Sequence, residues 1–232
     1  KSVSRGLGDV YKRQDLLRDE DDMPEDAADD EHLRIVYDVK CSMNVEQAIL
    51  QAGGRPVMAR TGHSFMKRVL ASMPDCKMAA EMSGHIFLAD RGWYGFDCSL
   101  YNAARLIELW SRHPPVSDGG PTFSSDLDRL APPLPTTGEV KVPCPEEDKL
   151  EVVAAITEAF EDMESSTVDG VRVRFDNDAG EYVGWYLARK SNTEPVLVMR
   201  MEARSDEQLA SMKALADERV SSIINIEKLL NA

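Results

Sequence analysis

From Leu33 onward, short apolar runs alternate with segments of helical spacing, the pattern of strands and helices taken in turn. The run "LRIVYDV", rich in β-branched and aromatic residues, predicts a buried strand. "MNVEQAILQAG" follows as a helix with Val45, Ala48 and Ile49 inward, stopping at Gly53-Gly54. "RPVMAR" predicts a second strand, and "HSFMKRVLASM" a second helix with Phe65, Met66 and Val69 on one side. "MAAEMSGHIFLAD" reads as a strand that breaks at Ser83-Gly84. "SLYNAARLIELWSRH" is a strongly periodic helix, its core stripe being Leu100, Ala103, Ala104 and Ile107. Strand and helix alternating at this spacing predict an α/β layer.

The pattern lapses over 113–145, where Pro, Gly and Ser concentrate and a domain linker is expected. Beyond it, "DKLEVVAAITEAFEDM" is an amphipathic helix and "GVRVRF" alternates as a half-exposed strand should. "VGWYLARKS" and "PVLVMRMEA" are two further strands around a turn. Ser205 with Gln208 forms a capping box that opens a helix running toward Leu230. The expected architecture is an α/β mixed-sheet domain at 33–135, followed by a smaller α+β domain at 140–232.

The N-terminal region breaks this order. Residues 1–14, "KSVSRGLGDVYKRQ", resemble a translated adapter sequence and are set aside as non-native. Residues 15–32 are dominated by acids and suit a flexible or partly helical surface segment. Composition narrows the function classes. A formal net charge of −14 argues against general nucleic-acid binding. No apolar run approaches the roughly 20 residues that span a bilayer, so no membrane role is expected. Four scattered cysteines (Cys41, Cys76, Cys98, Cys144) make no CxxC pair, which favours a reducing cytoplasm over metal or disulfide frameworks.

Candidate chemistry lies in two short polar strings set between apolar runs. In "AEMSGH", Glu81 can accept from two adjacent sugar hydroxyls, while Ser83 and His85 can donate or accept. In "ARKSNTEP", Arg189 is a planar multi-donor suited to phosphate oxygens. Ser191, Asn192 and Thr193 occupy the turn beside it. The plainer alternative is a β-turn stabilised by its own side chains. Lys40, after the first strand, lies where ligands sit in α/β sheets, or is a surface lysine. His63 opens the second helix, a place suited to an anion and to acid–base work, or is part of an inert cap.

Together "DVKCS", "GGRPVMARTGHSFMK", "EMSGHIFLADRGWYGFD" and "ARKSNTEPVLVMRMEA" resemble the α-D-phosphohexomutases, most closely the bacterial phosphomannomutase/phosphoglucomutase branch. The resemblance runs from about Leu33 to the C-terminus, with the motifs in the family's order and spacing. It implies the third and fourth of four domains. Glu81, Ser83 and His85 match the sugar-recognition loop. Arg189, Ser191, Asn192 and Thr193 match the loop that grips the phosphate not being transferred. Lys40 and His63 match basic residues near the reacting phosphate. Methionine in EMSGH favours the mannose/glucose branch over phosphoglucosamine mutases. Ala80 replaces a usual glycine, and Cys98-Ser99 follow Asp97 where Asp-Gly is commoner.

The family's phosphorylated-serine loop (T-x-S-H-N-P) and Mg²⁺ loop (D-G-D-x-D-R) are not found in this sequence. The resemblance therefore implies a C-terminal fragment of a mutase that interconverts hexose 1- and 6-phosphates. Mg²⁺ would bind in an absent N-terminal half, and a hexose 1,6-bisphosphate would serve as intermediate. The expected partner is mannose or glucose phosphate. Two rival readings are a non-catalytic sugar-phosphate-binding protein and a structural α/β module.

Overall fold

The computed structural model describes residues 33–232 except Pro74, His113 and Pro115. The adapter-like residues 1–14 and the acidic residues 15–32 lie outside those described. The chain forms two compact units, one ending at Pro133 and the other beginning at Leu134.

In the first unit β1 (Arg34–Asp38), α1 (Met43–Gln51), β2 (Arg55–Ala59), α2 (His63–Ser72), β3 (Cys76–Ala80) and β4 (Ile86–Leu88) follow one another. Their sheet order is β2-β1-β3-β4, with β1 parallel to β2 and β3, and β4 antiparallel to β3. Strand residues divide by parity, as the pleat requires. Ile35, Tyr37 and Met78 pack with Val45, Ala48 and Ile49 of α1, whereas Val36, Ala79 and Phe87 pack with Met66 and Leu70 of α2. Helices on both faces explain why these strands read as continuous apolar runs. Helix α1 stops as its glycines predict. Gly53 sits at φ +80°, its N–H donating to Leu50 O and that of Gly54 to Ile49 O.

Three local expectations need correction. The break at Ser83-Gly84 is a reversal that pairs β3 with β4, not an interrupted strand. The supposed linker holds β5 (Val140–Pro143) and two helical segments: a 3₁₀ turn at Val116–Asp118 and α4 (Phe123–Leu130), capped by Thr122 Oγ1 accepting from Ser125 N. The third correction concerns α3 (Ser99–Ser111). Its Leu100 and Ile107 are 80% and 69% exposed, while Asn102, Arg105 and Leu109 face inward. Polar demand sets this rotation. Edge strand β4 leaves Ile86 O open, and Asn102 Nδ2 donates to it at 3.0 Å. Arg105 reaches Asp90 at 2.9 Å, and Tyr101 Oη donates to the same carboxylate at 2.8 Å.

The second unit is an antiparallel sheet, β5-β9-β8-β7-β6, with β6 Ser165–Ser166, β7 Val171–Asp176, β8 Tyr182–Lys190 and β9 Val196–Ala203. Helices α5 (Lys149–Ala159) and α6 (Asp206–Val220) pack Ile156, Leu209, Met212 and Ala216 against the face carrying Val173, Tyr186, Ala188, Met199 and Met201. Expected as half-exposed, β7 is mostly buried, because the Arg172 guanidinium stacks 4.0 Å over the Trp185 ring. Ser205 Oγ caps α6 by accepting from Gln208 N, but the Gln208 carbonyl oxygen has no partner among the described residues, so only half the capping box forms. The terminal helix does not run through: α6 ends at Val220 and a short α7 (Glu227–Leu230) follows.

Candidate functional site

The residues singled out from sequence fall into two groups, one on each unit. In the first unit, the strand order 2-1-3 places the carboxyl ends of β1 and β3 side by side, where α/β sheets open a crevice. Lys40 follows β1, His63 opens α2, and Glu81, Ser83 and His85 lie on the β3–β4 connection. A residue not singled out, Asp38, ties these loops together. Its fully buried carboxylate accepts from Lys40 N, Cys41 Sγ and Met82 N through Oδ1, and from Thr61 Oγ1 through Oδ2, at 3.1–3.3 Å. One side chain thus fixes the ends of all three parallel strands.

Glu81 is buried, and its Oε1 accepts from Gly62 N, just ahead of α2, at 2.5 Å. Burial pushes its carboxyl above the usual glutamate range, the Gly62 N–H opposes that shift, and the Asp38 charge reinforces it. His85 and Lys40 act in the opposite direction, so both basic side chains lie near the carboxylate. Ser83, His85 and His63 are exposed. His85 Nδ1 lies 2.6 Å from Asp97 Oδ2, and Asp97 is held by a backbone bridge to Phe87 of β4. The group therefore presents a buried acceptor beneath an exposed rim of hydroxyl and imidazole.

In the second unit, Arg189, Ser191, Asn192 and Thr193 gather at the β8–β9 turn. Arg189 is buried, and its Nε donates to Asp169 Oδ2 at 2.8 Å. Its Nη2 has no hydrogen-bond partner among the described residues. Gly170 makes this approach possible. At φ +80° a Cβ there would lie 2.3 Å from Ala188 O and 2.7 Å from Arg189 Cα. Ser191 is buried, its Oγ accepting weakly from Thr193 N and Glu194 N at 3.3 and 3.2 Å, which leaves its O–H free to donate. Asn192 and Thr193 are exposed at the tip.

Asp38, Asp97 and Asp169 were missed because the partners that tie them to other loops lie 12 to 44 residues away in sequence. A legible signal did exist at Asp38: an acid ending an apolar strand is an expensive burial that asks for donors. Magnesium, implied by the resemblance, finds no seat in the described residues, where no three His, Cys, Asp or Glu side chains converge as a metal site.

Residues 21–118 match the family model "Phosphoglucomutase/phosphomannomutase, alpha/beta/alpha domain III", and 139–219 match that family's "C-terminal domain". The chain belongs to the phosphoglucomutase/phosphomannomutase family of α-D-phosphohexomutases, in its C-terminal region.

Among relatives, it is 36% identical over 196 residues to the phosphomannomutase/phosphoglucomutase of Pseudomonas syringae pv. tomato, covering 83% of this chain and 37% of that protein. The phosphoglucomutase of Neisseria gonorrhoeae is 38% identical over 174 residues, covering 73% and 34%. A crystal structure of a phosphoglucomutase/phosphomannomutase family protein from Burkholderia thailandensis superposes with TM-score 0.74 at 31% identity, covering 95% of this chain and 42% of that one. The chain thus spans a little over a third of the length of the curated relatives it matches.

Proposed function

We propose that this chain supplies the ligand-gripping part of a phosphohexomutase that interconverts hexose 1- and 6-phosphates. The observation that carries the reading is Arg189: a buried guanidinium with Nε locked to Asp169 and Nη2 without an acceptor. A buried donor left unmade costs about 1–3 kcal/mol. An anion at the adjacent turn would satisfy it, and Asn192 and Thr193 stand exposed there to complete the grip. In this reading the turn holds the phosphate that does not react. Because any terminal phosphate offers the same oxygens, it serves a 1- or a 6-phosphate alike.

Glu81 would accept from a pair of neighbouring equatorial hydroxyls near the middle of the ring, a pair that looks alike after the sugar turns end for end. Ser83 and His85 complete the hydroxyl contacts. Lys40 would neutralise charge near the reacting phosphate, and His63, exposed at the start of α2, would take or give a proton there. The serine that carries the phosphoryl group and the Mg²⁺ loop are assigned to sequence outside residues 33–232. A hexose 1,6-bisphosphate passing between the two orientations follows from this division of labour.

Isothermal titration of the chain with mannose 6-phosphate and glucose 6-phosphate tests the grip, and a mutase assay tests turnover. Binding without turnover is expected, with activity appearing when the N-terminal domains of a relative are added. Binding with no such complementation would favour a non-catalytic sugar-phosphate-binding protein. Unchanged affinity in both Glu81→Ala and Arg189→Ala would leave only a structural module.

A further inference from the structure

Lysines are seldom buried, and a cation in the first turn of a helix opposes the positive end of the helix dipole. Lys149 defies both preferences: it is the first residue of α5, and its side chain is 1% exposed. Its ammonium donates to Ser191 O at 3.1 Å, to Glu194 O at 2.5 Å and to Glu146 Oε2 at 2.5 Å. Three donors meet three acceptors, so the group is saturated. Two of those acceptors are the carbonyls at either end of the turn that carries Asn192 and Thr193.

We infer that Lys149 is the positioning residue of the anion loop, an inference that rests on the phosphate reading of that turn. Drawing both carbonyl oxygens inward removes two negative dipole ends from the space an incoming anion would use. It also leaves Asn192 and Thr193, which lie between them, exposed at the tip. The charge of Lys149 stands one peptide layer beneath the turn and adds to the attraction. The turn's own acid is diverted as well, because the Glu194 carboxylate pairs with Lys141. Lys149 touches no ligand in this account and acts through the loop backbone. A lysine that merely stapled α5 to the sheet would affect stability without distinguishing charged from neutral ligands.

The test uses the whole chain with inorganic phosphate, glucose 6-phosphate and glucose as probes in titration calorimetry. Lys149→Met removes charge and donors. Lys149→Gln keeps two donors without the charge and serves if the first variant fails to fold, as judged by its melting transition. The folded variant is expected to bind phosphate and glucose 6-phosphate about tenfold or more weaker, with glucose unaffected. Amide resonances of residues 191–194 are expected to move without ligand. Phosphate affinity within twofold of the parent, or unmoved loop resonances, would overturn the inference. A parent chain blind to phosphate would instead remove the reading of the turn, while the resonance shift would still report on the loop geometry.

Discussion

The proposed hydroxyl site of the first unit and the proposed anion turn of the second are built on opposite principles. The first is assembled from three strand ends, and its organising charge, Asp38, meets only backbone N–H, thiol and hydroxyl donors in the hydrogen bonds described above. The second is one hairpin turn underlain by two buried cations, Arg189 and Lys149, each with a carboxylate partner. A neutral polyol needs many modest, directional partners and little net field. A phosphate repays burial of cations, because a charge-assisted bond is roughly twice as strong as a neutral one. The contrast predicts that single substitutions will hurt the second site more than the first.

Removing Arg189 should have the largest effect. Arg189→Met removes the buried guanidinium that pairs with the buried Asp169 carboxylate, and breaking such a pair typically costs about 3–5 kcal/mol. Urea unfolding of the second unit checks this. Arg189→Lys should not restore phosphate binding, since an ammonium lacks the planar fork. Gly170→Ala should come next, destabilising by about 2 kcal/mol through a forced left-handed backbone and collision with Ala188 O. If this variant melts like the parent, the close packing beneath Arg189 is not needed.

Glu81→Gln tests the first site more gently. Affinity for glucose 6-phosphate is expected to fall about tenfold, in line with one lost charged hydrogen bond. Stability should move the other way. Burial raises the folded-state pKa of Glu81 above its unfolded value, so its proton-bound form favours folding at low pH and that advantage is lost as pH rises through the folded pKa. The glutamine variant should therefore melt higher than the parent at neutral pH and lose that gain in acid. Glu108→Gln should have the smallest effect. Arg91 and Arg105 hold that carboxyl down at about 2, but it is 37% exposed, so about 0.5 kcal/mol is expected at neutral pH. A depressed folded pKa gives stability that is present above the normal glutamate value and lost as pH falls through about 2. The parent and variant melts should converge there.

Much of the architecture was legible in the chain because it follows from local periodicity. The runs at Arg34–Asp38, Arg55–Ala59 and Cys76–Ala80 carry apolar residues on both faces because helices cover both, and the Gly53-Gly54 stop is a purely local turn. The residues proposed for each grip could be picked out together because each set lies within a few positions on one loop. Asp38 left only one local mark, an acid closing an apolar strand, because the donors that tie it to the other strands come from positions 61 and 82. Lys149 was not singled out, because two of its three acceptors lie at positions 191 and 194, more than 40 residues along the chain.

Sequence alone determined the type and order of most elements, the division into two α/β-containing domains and the two polar strings proposed as the ligand contacts. Tertiary structure alone decided which side of a periodic helix is inward. The stripe Leu100, Ala103, Ala104, Ile107 has the spacing of a core face, yet it is the Asn102–Arg105–Leu109 side that turns in. Periodicity reports that a helix has two unlike faces. Which of them is buried depends on unmet polar groups across the contact, here Ile86 O and the Asp90 carboxylate, that no stretch of α3 can reveal.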